Sequence, residues 1–534
     1  MNAGNVLLDV EHLLVRTGCD DTSAVLASNV SFKLHHGRIH GLVGESGSGK
    51  TMIANAVAGL LPEGVQASGR ILLQGTNLLA LPEGAARQIR NAHIGYVFQN
   101  PKAALNPRLT IGYQLREALV PEVRRDESAS LKRVLSLLDE VGIPNAYARL
   151  TAYPHELSGG LAQRVVIAMA LARDPQILIA DEPTTALDMT IQAQILDLID
   201  NIQTQRHFGV LLITHDMGII HDRADDITVL SGGQIVESGL RRAIFEAPKA
   251  IETRNLIEGA LLDESLPAAD DTSPAGSCIY SVRNLKKSFV TQSNHRSTLH
   301  ALDDVWLDLR QGRSLGIVGE SGSGKTTLAR ILLGLEIPDS GQILYKGDDI
   351  ARLSRQSRRG WRRSIQFVFQ DHWASLNPYQ TIFESISEPL RAEGLGREER
   401  AQRVLEVMQD VSLPQHLAAR RPGELSGGQL QRAAIARALV VRPQILIADE
   451  PVASLDVTVQ ARILRLLEHL KAEFGINYII ISHDLRIVKR ISQDVIVMKD
   501  GVIVERGTTR DIFSKPQHAY TQKLLAATPG GMRS

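Results

Sequence analysis

The 534-residue chain is expected to fold as an α/β protein made of two tandem copies of one domain. Three observations lead there. Short motifs recur in fixed order at a nearly constant offset. Apolar strand-like runs alternate with longer helical patterns. A helical stretch with few strand signals interrupts each copy at the same place.

The repeats come first. GESGSGKT stands at 44–51 and 319–326, LSGG at 157–160 and 425–428, and QILIADEP at 176–183 and 444–451. A Thr/Ser-His-Asp triplet follows at 214–216 and 482–484. Lys50 to Lys325 is 275 residues, and Gln99 to Gln370 is 271. Asp181 to Asp449, Ser158 to Ser426 and His215 to His483 are each 268. An ordered series with a slowly drifting offset is a duplicated domain, far longer than a solenoid unit of about 20–50 residues. The join is expected in LDESLPAADDTSPAGS, which is acidic and rich in Pro, Ala and Ser. That places domain one at 1–261, a linker at 262–277 and domain two at 278–534.

IHGLV, QILIAD and GVLLIT read as buried strands in the first copy, and SLGIV, QILIAD and NYIIIS in the second. Nearly continuous apolar strands alternating with helices imply a mixed, mostly parallel sheet covered by helices. Residues 110–150 and 380–420 turn helical and are expected to form an inserted helical subdomain in each copy.

Composition excludes several classes. Lys plus Arg and Asp plus Glu balance at 59 each, which gives no bulk attraction to nucleic acid or anionic lipid. No run reaches the roughly 18 apolar residues that a membrane span needs. Asp9 and Glu11 interrupt the first apolar stretch, and no basic segment precedes it, so no signal peptide is expected. Cys19 and Cys278 are the only cysteines. Two thiols make neither a disulfide framework nor an iron–sulfur site.

The motifs define phosphate chemistry. G-x4-GKT after an apolar strand is a P-loop. Gly44, Ser46, Gly47 and Gly49, with Gly319, Ser321, Gly322 and Gly324, would curl backbone N–H groups around phosphate oxygens. The helices opening at Lys50 and Lys325 would add their positive ends. The two lysines would reach the β- and γ-phosphates of ATP, and the hydroxyls of Thr51 and Thr326 would ligate Mg²⁺. Each ILIADE strand ends in an acid pair. Asp181 and Asp449 are placed to hold Mg²⁺, and Glu182 and Glu450 to orient and deprotonate the attacking water. Ser231-Gly232-Gly233 also reads SGG, but it lies in a strand–turn–strand pattern and is expected to be a hairpin turn.

P-loop, Gln, LSGG, ILIADE, ALD/SLD and His, in that order, resemble ATP-binding cassette (ABC) nucleotide-binding domains, over nearly the whole chain and twice. The resemblance implies two tandem ABC-type P-loop NTPase domains that stack head to tail, with ATP between one P-loop and the opposite LSGG segment. Ser158 and Gly160, or Ser426 and Gly428, would then meet the γ-phosphate at a helix N-terminus. By the same resemblance Gln99 and Gln370 sense the γ-phosphate and Mg²⁺, and His215 and His483 are the switch histidines. Asp188 and Asp456 match the interface aspartates, and Phe289 matches the aromatic residue that stacks on adenine. Thr17 falls at the position of Phe289 in the first copy, with Val25 as another apolar candidate there. One composite site would use Lys50, Thr51, Gln99, Asp181, Glu182 and His215 with Ser426 and Gly428. The other would use Lys325, Thr326, Gln370, Asp449, Glu450 and His483 with Ser158 and Gly160.

FQNPKAALNPRLTI, FQDHWASLNPYQTI and KPQHAYTQKLLAATP resemble the dipeptide, oligopeptide and nickel branch of bacterial ABC importers. The first copy departs from it twice. Its closing segment, APKAIETRNLIEG, lacks the His/Tyr pattern, and its signature reads LSGGL, with Leu161 opposite Gln429. The expected function is ATP hydrolysis driving an importer for peptides or related small solutes. Its partners would be two membrane permeases and, indirectly, a solute-binding protein, with no nucleic acid. The place of work would be the cytoplasmic face of the cell membrane. The alternatives are uptake of nickel or another solute, export, or a soluble ribosome-associated tandem ABC protein. The ribosomal proteins join their domains by a long charged helical linker, unlike 262–277. The basic segment RLSRQSRRGWRR (352–363) has a much less basic counterpart and is expected to be a solvated helix.

Overall fold

The computed structural model describes residues 6–18, 24–185, 187–260, 276–292, 296–452, 455 and 457–528. The linker (but for Gly276 and Ser277), Cys19 and Asp456 lie outside them.

The first half contributes ten strands: β1 (Val6–Thr17), β2 (Val25–His35), β3 (Ile39–Gly44), β4 (Val65–Leu73), β5 (Thr76–Asn77), β6 (Ile94–Val97), β7 (Ile177–Asp181), β8 (Gly209–Thr214), β9 (Asp226–Ser231) and β10 (Gln234–Leu240). Six of them form a sheet in the order β10-β9-β3-β8-β7-β6. It is parallel except where β10 pairs antiparallel with β9. The other four form a separate antiparallel sheet, β2-β1-β4-β5. The second half repeats both sheets. Its six-stranded order is Ile365–Val368, Ile445–Asp449, Asn477–Ile481, Leu315–Val318, Asp494–Lys499 and Val502–Thr508. The parallel sheet matches the expectation from sequence. The antiparallel sheet is an addition to it.

Side-chain alternation along the parallel strands builds two cores in each half. Ile177, Ile179, Leu211 and Ile213 face the antiparallel sheet and the P-loop helix. Leu178, Ala180, Val210 and Leu212 face the helical layer. That layer holds the inserted helices Ile111–Ala118 and Glu127–Glu140 and the long helix Gly159–Leu171. In the second half their counterparts are Ile382–Glu393, Arg397–Asp410 and Gly427–Leu439. The inserted helical subdomain therefore stands in both halves. Gly232 and Gly233, at φ 53° and 79°, form the turn between β9 and β10, as expected for the SGG decoy.

The halves touch reciprocally. The helix Ile251–Ala260 of the first half packs on Val457–Phe474 of the second. Ala519–Ala526 of the second packs on Met189–Arg206 of the first. The first-half closing segment thus keeps this crossing contact without the His/Tyr pattern. No helix among the described residues is long and apolar enough to cross a membrane.

Candidate functional site

Each P-loop joins the end of a central parallel strand to a helix, Lys50–Ala58 or Lys325–Leu332. The turn needs glycine. Gly49 is the helix N-cap at φ 94°, and a Cβ there would lie 2.4 Å from the Leu26 carbonyl oxygen. Gly47, at φ 76°, opens onto free space. The Lys50 ammonium donates to the carbonyls of Gly44 (2.9 Å) and Glu45 (2.7 Å) and to Ser48 Oγ (3.3 Å). Lys325 repeats this with Gly319 (2.8 Å), Glu320 (2.7 Å) and Ser323 (3.3 Å). Each lysine is buried and curls back over its own loop.

The acid pairs sit at adjacent strand ends. Thr51 Oγ1 donates to Asp181 (3.3 Å) and Thr326 Oγ1 to Asp449 (3.2 Å). Hydroxyl and carboxylate oxygens side by side are the donor set a hard cation such as Mg²⁺ prefers, completed by phosphate oxygens. Glu182 and Glu450 turn out of the strand at positive φ, 45° and 49°. Glu182 accepts from the Gln99 side chain (2.6 Å) and from Thr185 (2.9 Å), and it lies 3.0 Å from His215 Nδ1. Glu450 accepts from Gln370 (2.7 Å) and lies 2.8 Å from His483 Nδ1. The structure thus brings together, in each half, the Lys, Thr, Gln, acid pair and His that the sequence singled out.

Burial raises the pKa of Asp181 and Asp449. For Asp449 the neighbouring Glu450 charge adds to it, and its pKa reaches about 6. Burial also opposes ionisation of Glu182, but the hydrogen bond and charge of His215, with the Thr185 hydroxyl, hold it down at about 2. Burial lowers His215, while Glu182 outweighs that and leaves its pKa above the usual histidine value. A raised histidine stabilises the fold fully below its unfolded pKa and loses that contribution as pH rises through the folded pKa. A depressed carboxylate loses its contribution as pH falls from its unfolded toward its folded pKa. The pair therefore contributes most at about pH 4.5–6.5. Glu182→Gln should destabilise the ligand-free chain at pH 6 by up to about 1 kcal/mol, because His215 is partly exposed. That deficit should shrink by pH 9, measured as thermal midpoints against the unmodified chain. A deficit that grows with pH would refute the charged pairing.

Ser158 and Ser426 cap the helices they head, accepting from Leu161 N and Gln429 N at 3.4 Å. Gln429 answers with its side chain to Ser426 N (2.9 Å), closing a capping box that Leu161 cannot form. Neither serine hydroxyl hydrogen-bonds across to the other half among the described residues. Gly160 and Gly428 lie against Ile191 and Val459, each 2.6 Å from where a Cβ would stand. Asp188 caps the helix Met189–Arg206. Burial lowers the Lys325 pKa, and the carboxylates of Glu450, Asp449 and Asp188 partly offset that. Asp188 is the one of these three carboxylates that comes from the opposite half. Asp456, its counterpart by sequence, lies outside the described residues.

Phe289 is 40% exposed, with Lys287 Nζ 5.3 Å from its ring centre. His12 and Asn284 both take φ 49° in matching bulges, which supports pairing Thr17 with Phe289. Val25 is 57% exposed. If Phe289 stacks on adenine, a stack worth about 1 kcal/mol makes roughly a fivefold difference in affinity. Phe289→Ala should weaken nucleotide binding by that factor, and Thr17→Tyr should tighten it, by titration calorimetry. An unchanged affinity in Phe289→Ala would remove the stacking assignment.

Sequence reasoning missed three residues. The Tyr96 hydroxyl lies within hydrogen-bond reach of Asp181 (3.1 Å) and Asn55 (3.0 Å), and the second half has Phe367 there. Thr185 grips Glu182, and its counterpart Ala453 has no hydroxyl. The Tyr520 hydroxyl accepts from the P-loop amide of Glu320 (2.9 Å). Only Tyr520 carried a signal, as part of the HAYT segment.

The family model described as "ABC transporter" matches residues 27–185 and 302–453. The chain is 41% identical to the oligopeptide transport ATP-binding protein OppD of Mycobacterium tuberculosis, covering 98% of each chain. It is 43% identical to the glutathione import ATP-binding protein GsiA of Escherichia coli K12, covering 99% of this chain and 90% of that one. Among solved structures, one described as "RNase-L Inhibitor" superposes with a TM-score of 0.62 over 93% of this chain and 91% of its own. At 22% identity that likeness speaks for the fold alone.

Proposed function

The chain belongs to the ABC transporter family and is an ATPase of that family, and we propose that it drives a bacterial importer of peptides or related small solutes. The observation that carries this reading is the twin constellation, reproduced in both halves to within a few tenths of an ångström. The 41–43% identity to an oligopeptide and a glutathione import ATP-binding protein supports the cargo class.

We assign the chemistry as follows. Lys50 and Lys325 exchange their carbonyl partners for β- and γ-phosphate oxygens when ATP enters. Thr51, Asp181 and Gln99, or Thr326, Asp449 and Gln370, would hold Mg²⁺, which when bound neutralises charge on the β- and γ-phosphates. In the parked state Glu182 is a weak base, because His215 and Thr185 hold its carboxylate. His215 turns toward the γ-phosphate as the halves close, which releases Glu182 to take the proton of the attacking water. Glu450 and His483 do the same in the second half. Closure brings Ser426 and Gly428 to the first P-loop and Ser158 and Gly160 to the second. The crossing helices support that pairing, as does the charge of Asp188 acting on Lys325 of the other half.

The partners are two membrane permeases, reached from the cytoplasmic face. A groove of about 270 Å³ beside the Gln99 segment supports this, lined by Tyr96, Phe98, Ala104, Ala118, Val166 and Met169. Phe98 of that groove is exposed beside Gln99, and in the second half Phe369 and Trp373 are exposed in the segment of Gln370. The test is to isolate the tagged chain from gently solubilised membranes and reconstitute the complex. Two co-isolated permeases and ATP-dependent uptake of labelled short peptides are expected. Recovery with ribosomes, and none with membranes, would overturn the reading.

A further inference from the structure

The residues after the two switch histidines meet at the junction of the halves, and they meet unequally. Asp216 follows His215 and caps the helix Met217–Arg223, accepting from Gly218 N at 2.7 Å. Asp484 follows His483 and caps the helix Leu485–Ile491, accepting from Arg486 N at 2.9 Å. The 268-residue offset pairs Arg486 with Gly218. The Arg486 guanidinium grips Asp484 through Nε (3.1 and 3.2 Å) and Nη2 (2.8 Å). The same Nη2 lies 3.7 Å from Asp216 Oδ2 of the other half. All three side chains are largely withdrawn from solvent, at 17% exposure for Arg486, 17% for Asp216 and 12% for Asp484.

Two carboxylates brought this close repel unless a cation stands between them. The helix N-termini supply part of that charge, and Arg486 supplies the rest with a planar fork that serves both partners. Burial works against the arginine's charge, and the two aspartates more than restore it. Each aspartate is bonded directly to its histidine's residue. Whatever fixes the separation of Asp216 and Asp484 therefore fixes the backbone that carries both histidines.

We infer that Arg486 is a positioning residue shared by the two ATP sites, clamping Asp216 to Asp484 so that the switch segments of both halves engage together. This rests on the switch role proposed for His215 and His483. The clamp is one-sided, because Gly218 offers no side chain at the matching position. It acts on closure and on the coupling of the sites, and it leaves the chemical step within each site alone.

The experiment is steady-state ATP hydrolysis against ATP concentration, with thermal midpoints as a check on folding. The unmodified chain should be cooperative. Arg486→Gly should bring the Hill coefficient to about 1 and raise the half-saturating ATP concentration roughly tenfold, the lower end expected for loss of a charge-assisted contact. Its kcat should stay within a fewfold. Asp216→Asn should show the same split more weakly, and Arg486→Lys should retain part of the coupling. Moving the arginine across, as Arg486→Gly with Gly218→Arg, should restore cooperativity, because Gly218 holds after Asp216 the place that Arg486 holds after Asp484. A non-cooperative unmodified chain, or Arg486→Gly with unchanged saturation, would overturn the proposal. So would a loss of thermal stability and kcat together that the transplanted arginine leaves uncorrected. His215→Ala and His483→Ala, assayed alongside, report on the switch role separately. Normal turnover in both would remove that role whatever Arg486 does.

Discussion

Glu182→Gln with Glu450→Gln will stop steady-state ATP turnover while both nucleotides stay bound. Among the described residues, Glu182 and Glu450 are the carboxylates that each site places against both its glutamine and its histidine. A positioned base contributes about 10²–10⁴-fold, so the double variant should fall at least 100-fold. Glutamine keeps the size and one hydrogen bond to His215 or His483 but cannot take a proton. The trapped chain should be compact in ATP and bind two nucleotides per chain. Each single variant should keep part of the turnover, because neither half has lost its Lys, Thr, acid pair or His. Tyr96 and Thr185 distinguish the sites in detail, without removing a reacting group from either. Full turnover in the double variant would discard both bases. One silent and one near-normal single variant would make one site structural.

Double variants should separate composite sites from self-contained ones. Lys50→Ala disables the first P-loop. If that P-loop works with the second signature, adding Ser426→Arg damages the same site again and costs little more. Adding Ser158→Arg instead disables the other site, and turnover should fall by a further ~100-fold, the scale of losing the phosphate-stabilising contacts. The capping loss at either serine is about 1 kcal/mol, well short of a 100-fold change, so stability alone cannot produce the difference. The reverse ranking would mean that each half uses its own signature. Equal activities would mean that the signatures do not reach phosphate at all. The reciprocal helix contacts and the Arg486–Asp216 approach favour the crossed arrangement.

The duplication, the parallel strands and the reacting residues were legible in the sequence because their signals are local. A P-loop needs its glycines, Lys and Thr within eight consecutive residues, and an acid pair at a strand end needs one apolar run before it. The SGG at 231–233 could be set aside for the same reason, since its flanks read as hairpin. The antiparallel sheet was not separable from the parallel one, because partner strands leave no mark on each other's sequence. Tyr96 reaches Asp181 across 85 residues, and Tyr520 reaches Glu320 across 200. Arg486 meets an aspartate of the other half, 270 residues earlier in the chain. Nothing in a tyrosine or an arginine announces such a partner. Sequence determined which groups this protein carries for binding and cleaving a phosphate anhydride. Tertiary structure decided which groups orient them, because a hydrogen bond or ion pair depends on separation in space, and folding alone brings distant segments within 3 to 4 Å.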